Sequence, residues 1–382
     1  SDVYKRQIFG EEMDLLDYLK WRNDVSLHTA SLNDIDNVIL SYISYIDFGE
    51  LFGEQERVYS IEDAFKLFCK RYSIDELRKN AKFSKKAPLL LEEMVSGERF
   101  RGTKIAYYAD IFDKEKIKQF AAVVLILPDG TNYISFRGTD NTITGWKEDV
   151  FMSFTSEIEG AKEAACYLNK VSKHLDGKLI LGGHSKGGNF AMYAASFCED
   201  HIKDRITKVY NNDGPGFRDE VMHADGYKQI SSKICNIVPQ TSIIGQLLTN
   251  LGEQKVVRSN ATGIIQHDAM TWEVTKDHFV EAELDALSKF VRTSLGSWLE
   301  KMDDETRESI IMTVFSMIEE TEAETFKEFG GSIFKNTKIV LKEYKKLPKS
   351  KRIEIMNAFS NLIQAGGETI FDNRPRFPRK ES

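Results

Sequence analysis

The sequence predicts an α/β fold with helical segments on either side of a region in which strands and helices alternate. Residues 101–295 contain short β-branched and aromatic runs separated by helical patterns. Residues 13–100 and 296–382 show mainly the apolar spacing of helices. Such alternation is typical of a sheet with crossover connections. We therefore expect an α/β core at 101–295, a helical N-terminal region at 13–100 packed on it, and a helical C-terminal extension at 296–382.

The N-terminal region predicts several helices. Apolar residues recur at helical spacing over residues 34–45, Ser60 is a suitable N-cap for another helix, and residues 88–96 predict a further one. Met13 precedes the amphipathic stretch LLDYLKWR and is expected to be the natural start. Residues 1–12 are therefore left out of the fold prediction.

The core predicts a hairpin followed by alternating elements. The turn sequence PDGT separates the two strands of that hairpin. Helices are expected over residues 156–174 and from near Lys276. The predicted strands cover residues 105–111, 120–127, 132–136, 206–211, 233–238 and 255–259.

A glycine-rich turn at residues 179–188, LILGGHSKGG, carries the strongest functional signal. The motif Gly183-x-Ser185-x-Gly187 lies between an apolar strand and a helix-like segment, which is the context of a nucleophile elbow. Glycines on both sides of the serine let strand and helix pass closely. Amides at the helix N-terminus can then face a developing negative charge. The alternative is a strand-to-helix turn without chemistry, and we predict that Ser185 is a nucleophile.

A serine nucleophile requires a base and an acid. Of the seven histidines, His267 lies in a loop after the last predicted strand, in the chain order of α/β hydrolases. We predict that His267 is the base, the alternative being a surface loop histidine; His184, inside the elbow, is expected to point elsewhere. Asp213 ends a strand between Ser185 and His267 and is the predicted acid. It could equally be a turn former in NDGPG, and Asp225 and Asp268 are weaker candidates.

An oxyanion hole is expected from two amides. One belongs to Lys186, which follows the nucleophile. The other belongs to Thr139 in the segment ISFRGTD, where the hydroxyl is a second available donor.

Two further segments carry a family resemblance. FRGT at residues 136–139 and TGWKED at 144–149 resemble the FRGT…W…D signature of class 3 lipases, which also share the G-H-S-x-G elbow. With NDGPG and QHDAMTW, the pattern over about residues 13–290 resembles a bacterial Mbeg-like α/β-hydrolase domain family related to those lipases. The resemblance implies an α/β-hydrolase fold, Ser185 as nucleophile, Thr139 and Lys186 as oxyanion donors, and His267 as base.

One departure from the lipase pattern concerns the acid. Class 3 lipases carry aspartate in a D-x-V-P segment, where this chain has Asn236. An amide can orient a histidine but cannot stabilise an imidazolium by charge. Either Asp213 has taken over or the triad is incomplete. Arg137 and Trp146 are expected to be structural, with Asp149 as a partner for Arg137.

Composition excludes several classes of protein. The 382 residues are 41% hydrophobic and 29% charged, which is ordinary for a globular protein. The net charge of −7 argues against a nucleic-acid partner, and no apolar run reaches membrane-spanning length. Four cysteines without C-x-x-C spacing, and no signal-peptide pattern, indicate a cytoplasmic protein without a disulfide frame or metal site.

The function expected from these features is a serine hydrolase that cleaves carboxylic esters, of small molecules or lipids, without a cofactor. The alternative is a non-catalytic scaffold on the same fold that binds a partner or a membrane surface. The apolar stripes of the C-terminal helices, around Ile310, Val340 and Ile355, are expected to pack on the core or to form a homo-oligomer. Their alternative role is a surface for lipid or a partner.

Overall fold

The computed structural model describes residues 13–52, 57–80, 85–139, 143–152, 155, 157–300, 302–323, 332–358 and 360, and the predicted α/β-hydrolase fold is confirmed in them. Within these residues, one eight-stranded sheet follows the chain order, with β1 to β4 antiparallel and β4 to β8 parallel. Its strands are β1 (Val58–Ser60), β2 (Lys104–Asp113), β3 (Lys118–Ile126), β4 (Asn132–Phe136), β5 (Leu179–His184), β6 (Ile206–Asn212), β7 (Ile234–Pro239) and β8 (Glu253–Val257). The carboxyl ends of the parallel strands therefore meet at one edge, where α/β sheets place their sites.

Helices cover both faces of this sheet. The helices of the N-terminal region are α1 (Leu15–Arg22), α2 (Asp34–Ile43), α3 (Gly49–Phe52), α4 (Ile61–Arg71), α5 (Ile74–Asn80) and α6 (Ala87–Val95). Those of the core are α7 (Ile143–Phe151), α8 (Glu159–Val171), α9 (Lys186–Phe197), α10 (Asp200–Lys203), α11 (Asp219–Met222) and α12 (Asp225–Ile230). The last part of the chain contains α13 (Ala286–Glu300), α14 (Asp304–Glu319) and α15 (Ile333–Lys346), followed by helical residues 349–358.

The two sheet faces bury separate apolar clusters because successive side chains of a strand point to opposite faces. On β3, Val123 and Leu125 pack with the N-terminal helices, whereas Ala122 and Val124 pack with α8 and α9. The near-continuous apolar sequence of β3 thus follows from burial on both sides.

The N-terminal helices are fixed by caps and by a buried ion pair. The Asn33 side chain caps α2 by accepting from its first amides, and the Asp36 carboxylate accepts from the Asn33 backbone amide. The same Asp36 carboxylate pairs with Arg99, and both side chains are fully buried. The Arg99 guanidinium also donates to the carbonyls of Val25, Ala30 and Ser31. The pair therefore holds the loop before α2 against the segment that enters β2.

Two elements differ from the sequence predictions. The helix expected from near Lys276 is wrong, because Lys276 adopts φ 53° in a tight turn between β9 (Val274–Thr275) and β10 (His278–Phe279). The next helix begins only at Ala286. The N-terminal region also contributes the unpredicted strand β1, which pairs antiparallel with β2.

The C-terminal helices share a small cluster of their own. It consists of Ile310, Ile355 and Ala358, with Met302, Val314, Tyr344 and Leu347 packed against it. Among the described residues, no helix is long and apolar enough to cross a membrane. The boundaries at residues 100 and 295 stay predictions, and residues 1–12 lie outside the described residues.

Candidate active site

Ser185 lies at the sharp turn between β5 and α9. Its backbone angles are φ 58° and ψ −136°, a conformation that stores about 1–3 kcal/mol of strain in a non-glycine residue. A Cβ at Gly183 would collide with the Gly187 carbonyl, and one at Gly187 would collide with the Phe136 carbonyl oxygen. The flanking glycines are thus required by close backbone contacts. The predicted strand–turn–helix geometry is present.

Backbone hydrogen bonds bring the end of β6 beside this turn. The Ser185 amide donates to the Asn212 carbonyl at 2.9 Å, and the Asn212 side chain donates to the Gly183 carbonyl at 3.0 Å. Asp213 therefore follows β6 directly next to the turn that carries Ser185.

Asp213 and His267 are in direct contact. The His267 Nδ1 lies 2.7 Å from Asp213 Oδ2, and the Asp213 side chain is fully buried. Its other oxygen accepts from the Ser242 hydroxyl at 2.5 Å and from the Gly245 amide at 3.2 Å. The Asp213 carboxylate thus has three hydrogen-bond partners, and because a carboxylate oxygen accepts, His267 Nδ1 is the donor in their contact.

The other acid candidates are engaged elsewhere. The Asn236 amide donates to the Leu251 and Glu253 carbonyls, and its oxygen accepts from Asn211. Asp268 accepts from the Tyr42 hydroxyl at 2.9 Å and from an amide of its own turn. Of the carboxylates considered from the sequence, Asp213 is the one that the structure brings to His267.

Neighbouring side chains hold the loop that carries His267. Gln266 is buried; its side-chain oxygen accepts from the Thr241 amide at 2.8 Å, and its carbonyl accepts from the Trp272 indole at 2.8 Å. Tyr42 of α2 accepts from the Ala269 amide at 2.8 Å. The position of His267 is thus fixed by bonds on both sides of it.

His184 contacts the predicted base, so the expectation that it points elsewhere is wrong. Its ring centroid lies 4.6 Å from that of His267, and its Nε2 donates to the His267 carbonyl at 2.6 Å. Its Nδ1 accepts from the Tyr45 hydroxyl at 3.0 Å. Burial, and then the neighbouring His267, hold the pKa of His184 well below its usual range. His184 is therefore a neutral donor behind the His267 backbone.

The predicted oxyanion loop lies against Ser185. A Cβ on Gly138 would lie 3.0 Å from Ser185 Cβ, so the chain passes over the serine just before Thr139. The Thr139 hydroxyl donates to Asp149 Oδ2 at 2.5 Å. The Thr139 hydroxyl is therefore engaged with Asp149, and the Thr139 amide is the donor that remains for the predicted oxyanion role. The Lys186 amide is the first of α9, where helix amides have no partner within the helix.

The Lys186 side chain forms a buried ion cluster that the motif analysis did not predict. Its Nζ lies 2.7 Å from Glu148 Oε2 and 3.2 Å from Asp149 Oδ1, with the Lys186 and Glu148 side chains 1% exposed. Burial lowers the pKa of Lys186, but the two carboxylates outweigh this and raise it overall. The cluster therefore ties α7, which carries both acids, to the first residue of α9. The sequence signal for this cluster was a lysine in an otherwise uncharged helix.

Arg137 does not pair with Asp149, contrary to prediction. Its guanidinium makes two 2.8 Å bonds to Asp110 on β2, while Asp149 is taken by Thr139 and Lys186. The Trp146 side chain lies outside the part of the chain whose side chains the structure describes.

Comparisons with known proteins concern both family and fold. The model of the Mbeg1-like family matches residues 94–316, which is more than half of the chain. No curated protein shows significant similarity to this chain. Among solved structures, the crystal structure of M37 lipase is 15% identical with a TM-score of 0.34, over 56% of this chain and 70% of that one.

Two fungal lipase structures are similar to the same degree. The native Rhizomucor miehei lipase propeptide complex is 14% identical with a TM-score of 0.35, over 69% of this chain and 78% of that one. A fungal lipase–inhibitor complex, solved as a model for interfacial activation, is 15% identical with a TM-score of 0.35, over 53% and 82%.

Proposed function

We propose that this chain, which belongs to the Mbeg1-like family, is a serine hydrolase that cleaves carboxylic esters. The observation that carries the proposal is the 2.7 Å contact between His267 Nδ1 and the buried Asp213 carboxylate, at the sheet edge where Ser185 occupies its strained turn. A serine, a histidine and a carboxylate in this chain order form the constellation that activates a hydroxyl for acyl transfer.

Each residue has a role in the proposed reaction. Asp213 holds the Nδ1 proton of His267, which leaves Nε2 to accept the Ser185 hydroxyl proton as the oxygen attacks the ester carbonyl. The Thr139 and Lys186 amides donate to the oxyanion that forms. His267 then protonates the leaving alcohol, and water releases the acyl group by the reverse sequence.

The surface beside the base favours an ester with an apolar acyl chain. Ile264 and Ile265, in the turn that ends at His267, are 51% and 61% exposed. Adjacent exposed isoleucines offer an acyl chain a place to bury apolar area. Changing both to serine should raise KM for long-chain p-nitrophenyl esters more than for the acetate. Equal effects on both esters would contradict this choice of substrate.

The decisive experiment is covalent capture of Ser185 by a fluorophosphonate probe. The wild-type chain should be labelled and Ser185→Ala should not, with loss of p-nitrophenyl ester hydrolysis by about three to six decades. Ser196→Ala is the matched control, because Ser196 lies on the same helix and donates only to the Met192 carbonyl. It should label and hydrolyse like the wild type.

The second candidate is a non-catalytic scaffold. The observation in its favour is the burial of Ser185, which is 8% exposed. A folded wild-type chain that is neither labelled nor active on any ester would support the scaffold and exclude the hydrolase.

A further inference from the structure

The C-terminal helices leave large apolar side chains unburied. The shared cluster around Ile310 and Ile355 covers only one side of α15 and of residues 349–358. On the other side, Phe334 is 85% exposed and Leu341 is 51% exposed. These two lie seven residues apart and therefore on the same face of α15. Ile353 and Met356, three residues apart on the next helix, are 48% and 60% exposed.

Lysines lie beside this apolar pair. By helical spacing, Lys338 and Lys345 share the face of Phe334 and Leu341, and Lys335 and Lys342 flank it. All four are exposed. We call this surface, formed by Phe334, Lys335, Lys338, Leu341, Lys342 and Lys345, the basic face.

The charge of this segment is opposite to that of the chain. Residues 332–358 contain eight Lys or Arg and two Glu, although the whole chain carries a net charge of −7. The two glutamates pair with Lys346 and Lys351. Within the described residues, the lysines of the basic face form no ion pair. A concentrated positive charge on an acidic protein marks a surface for an anionic partner.

We propose that the basic face docks on an anionic lipid bilayer. Phe334 and Leu341 insert between the head groups, and the lysines contact lipid phosphates; a helix of this composition lies in the plane of a membrane interface. A nucleic acid would satisfy the lysines but not an exposed leucine and phenylalanine. A second copy of the chain would bring its own lysines against these, and like charges across an interface disfavour pairing.

The C-terminal helices that carry the basic face are attached beside the proposed active site. Lys147 of α7 pairs with Glu319 of α14 at 3.0 Å, and Arg218 makes two bonds of 2.8 and 2.9 Å to Asp304. Lys147 is the neighbour of Glu148 in the Lys186 cluster. A bilayer bound to the basic face of α15 would thus be linked to α7 through α14, on which α15 packs. The docking itself does not depend on the proposed chemistry.

The experiment is vesicle flotation with the full-length chain. The wild type should bind vesicles of phosphatidylcholine mixed with phosphatidylglycerol, should bind less at high salt, and should not bind phosphatidylcholine alone. The triple change Lys335→Glu, Lys338→Glu and Lys342→Glu should weaken binding by about 100-fold. Phe334→Ser with Leu341→Ser should weaken it by about tenfold or more. Changing Lys114, Lys173 and Lys178 to Glu is the matched control, since these lysines are exposed and distant in sequence, and it should change binding little.

Three results would overturn the proposal. These are absence of binding to anionic vesicles, equal loss in the control triple variant, and vesicle binding that Phe334→Ser with Leu341→Ser leaves unchanged. A dimer in light scattering that this apolar double variant dissociates would assign the face to a second copy instead. Ser185→Ala should float like the wild type, so failure of the hydrolase proposal is distinguishable from failure of this one.

Discussion

Replacing Asp213 by asparagine tests the proposed triad at the residue on which it most depends. The variant keeps the size of the side chain but removes the negative charge beside His267 Nδ1. In the proposed transition state His267 is an imidazolium. A pair of opposite charges about 4 Å apart at an effective dielectric constant of about 20 is worth about 4 kcal/mol. At about 1.36 kcal/mol per decade, this corresponds to a loss of about three decades in kcat.

A tautomer change acts in the same direction. If the introduced asparagine presents its NH₂ group to Nδ1, His267 must carry its proton on Nε2 to keep that bond, and Nε2 can no longer accept the Ser185 proton. The loss should fall on kcat with little change in KM, because substrate binding does not use the charge. Steady-state p-nitrophenyl ester hydrolysis measures both constants, and circular dichroism checks the fold.

Ser242→Ala is the matched control for this change. It removes one donor to the same carboxylate but leaves the charge and the His267 contact in place. We expect a loss of about tenfold or less, in line with one hydrogen bond. A kcat for Asp213→Asn within tenfold of the wild type would refute the assignment of Asp213 as the acid.

Buried charges and long-range contacts lead to three further predictions. Lys186→Met should lower the free energy of unfolding by about 3–5 kcal/mol, because Glu148 stays buried without its cation, and adding Glu148→Gln should recover much of this in urea unfolding. Burial holds the pKa of His184 in the folded chain below its ordinary value of 6.5. As the pH falls below 6.5, the unfolded chain therefore binds a proton at His184 before the folded chain does, and the free energy of unfolding decreases. His184→Gln should remove up to about 1.4 kcal/mol per pH unit of that decline, and unchanged slopes would contradict it. A chain ending after Glu300 should still react with the fluorophosphonate, because residues up to Ser288, which accepts from the Ser242 amide, are retained; a folded truncation that does not label would show that the last helices shape the site.

The parts of the site that the sequence predicted are those set by local spacing and chain order. The elbow is a contiguous motif in which close backbone contacts require the glycines. Asp213 directly follows β6 and His267 lies in the segment after β8, and the parallel pairing of these strands brings their carboxyl ends to one edge of the sheet. Their catalytic roles remain predictions. The site predictions that were wrong depended on contacts between segments that are distant in the sequence. The partner of Arg137 lies on β2, and its identity depends on which strands pair, which spacing within the FRGT segment does not encode.

The helix predicted near Lys276 failed for a different reason. Its residues have acceptable helix propensity, but Val274 and Phe279 pair across a turn that needs φ 53° at Lys276. Burial of Trp272, Val274 and Phe279 in the core beneath the N-terminal helices outweighs local preference. Similarly, β1 has three residues and is defined by its pairing with β2, so no periodicity could reveal it.

The two sides of the proposed site are held by different physical means. The acid and base are fixed by hydrogen bonds from uncharged side chains and backbone groups, around Gln266 and Ser242. The oxyanion side depends on one buried ion cluster, since Lys186 supplies one amide and holds Asp149, which in turn holds Thr139 beside the other. Displacing α7 would separate Lys186 from both carboxylates and leave a buried charge unpaired, which costs several kcal/mol. The oxyanion donors and α7 are therefore positioned together, and loss of the Lys186 side chain should lower kcat even in the fraction of the protein that remains folded.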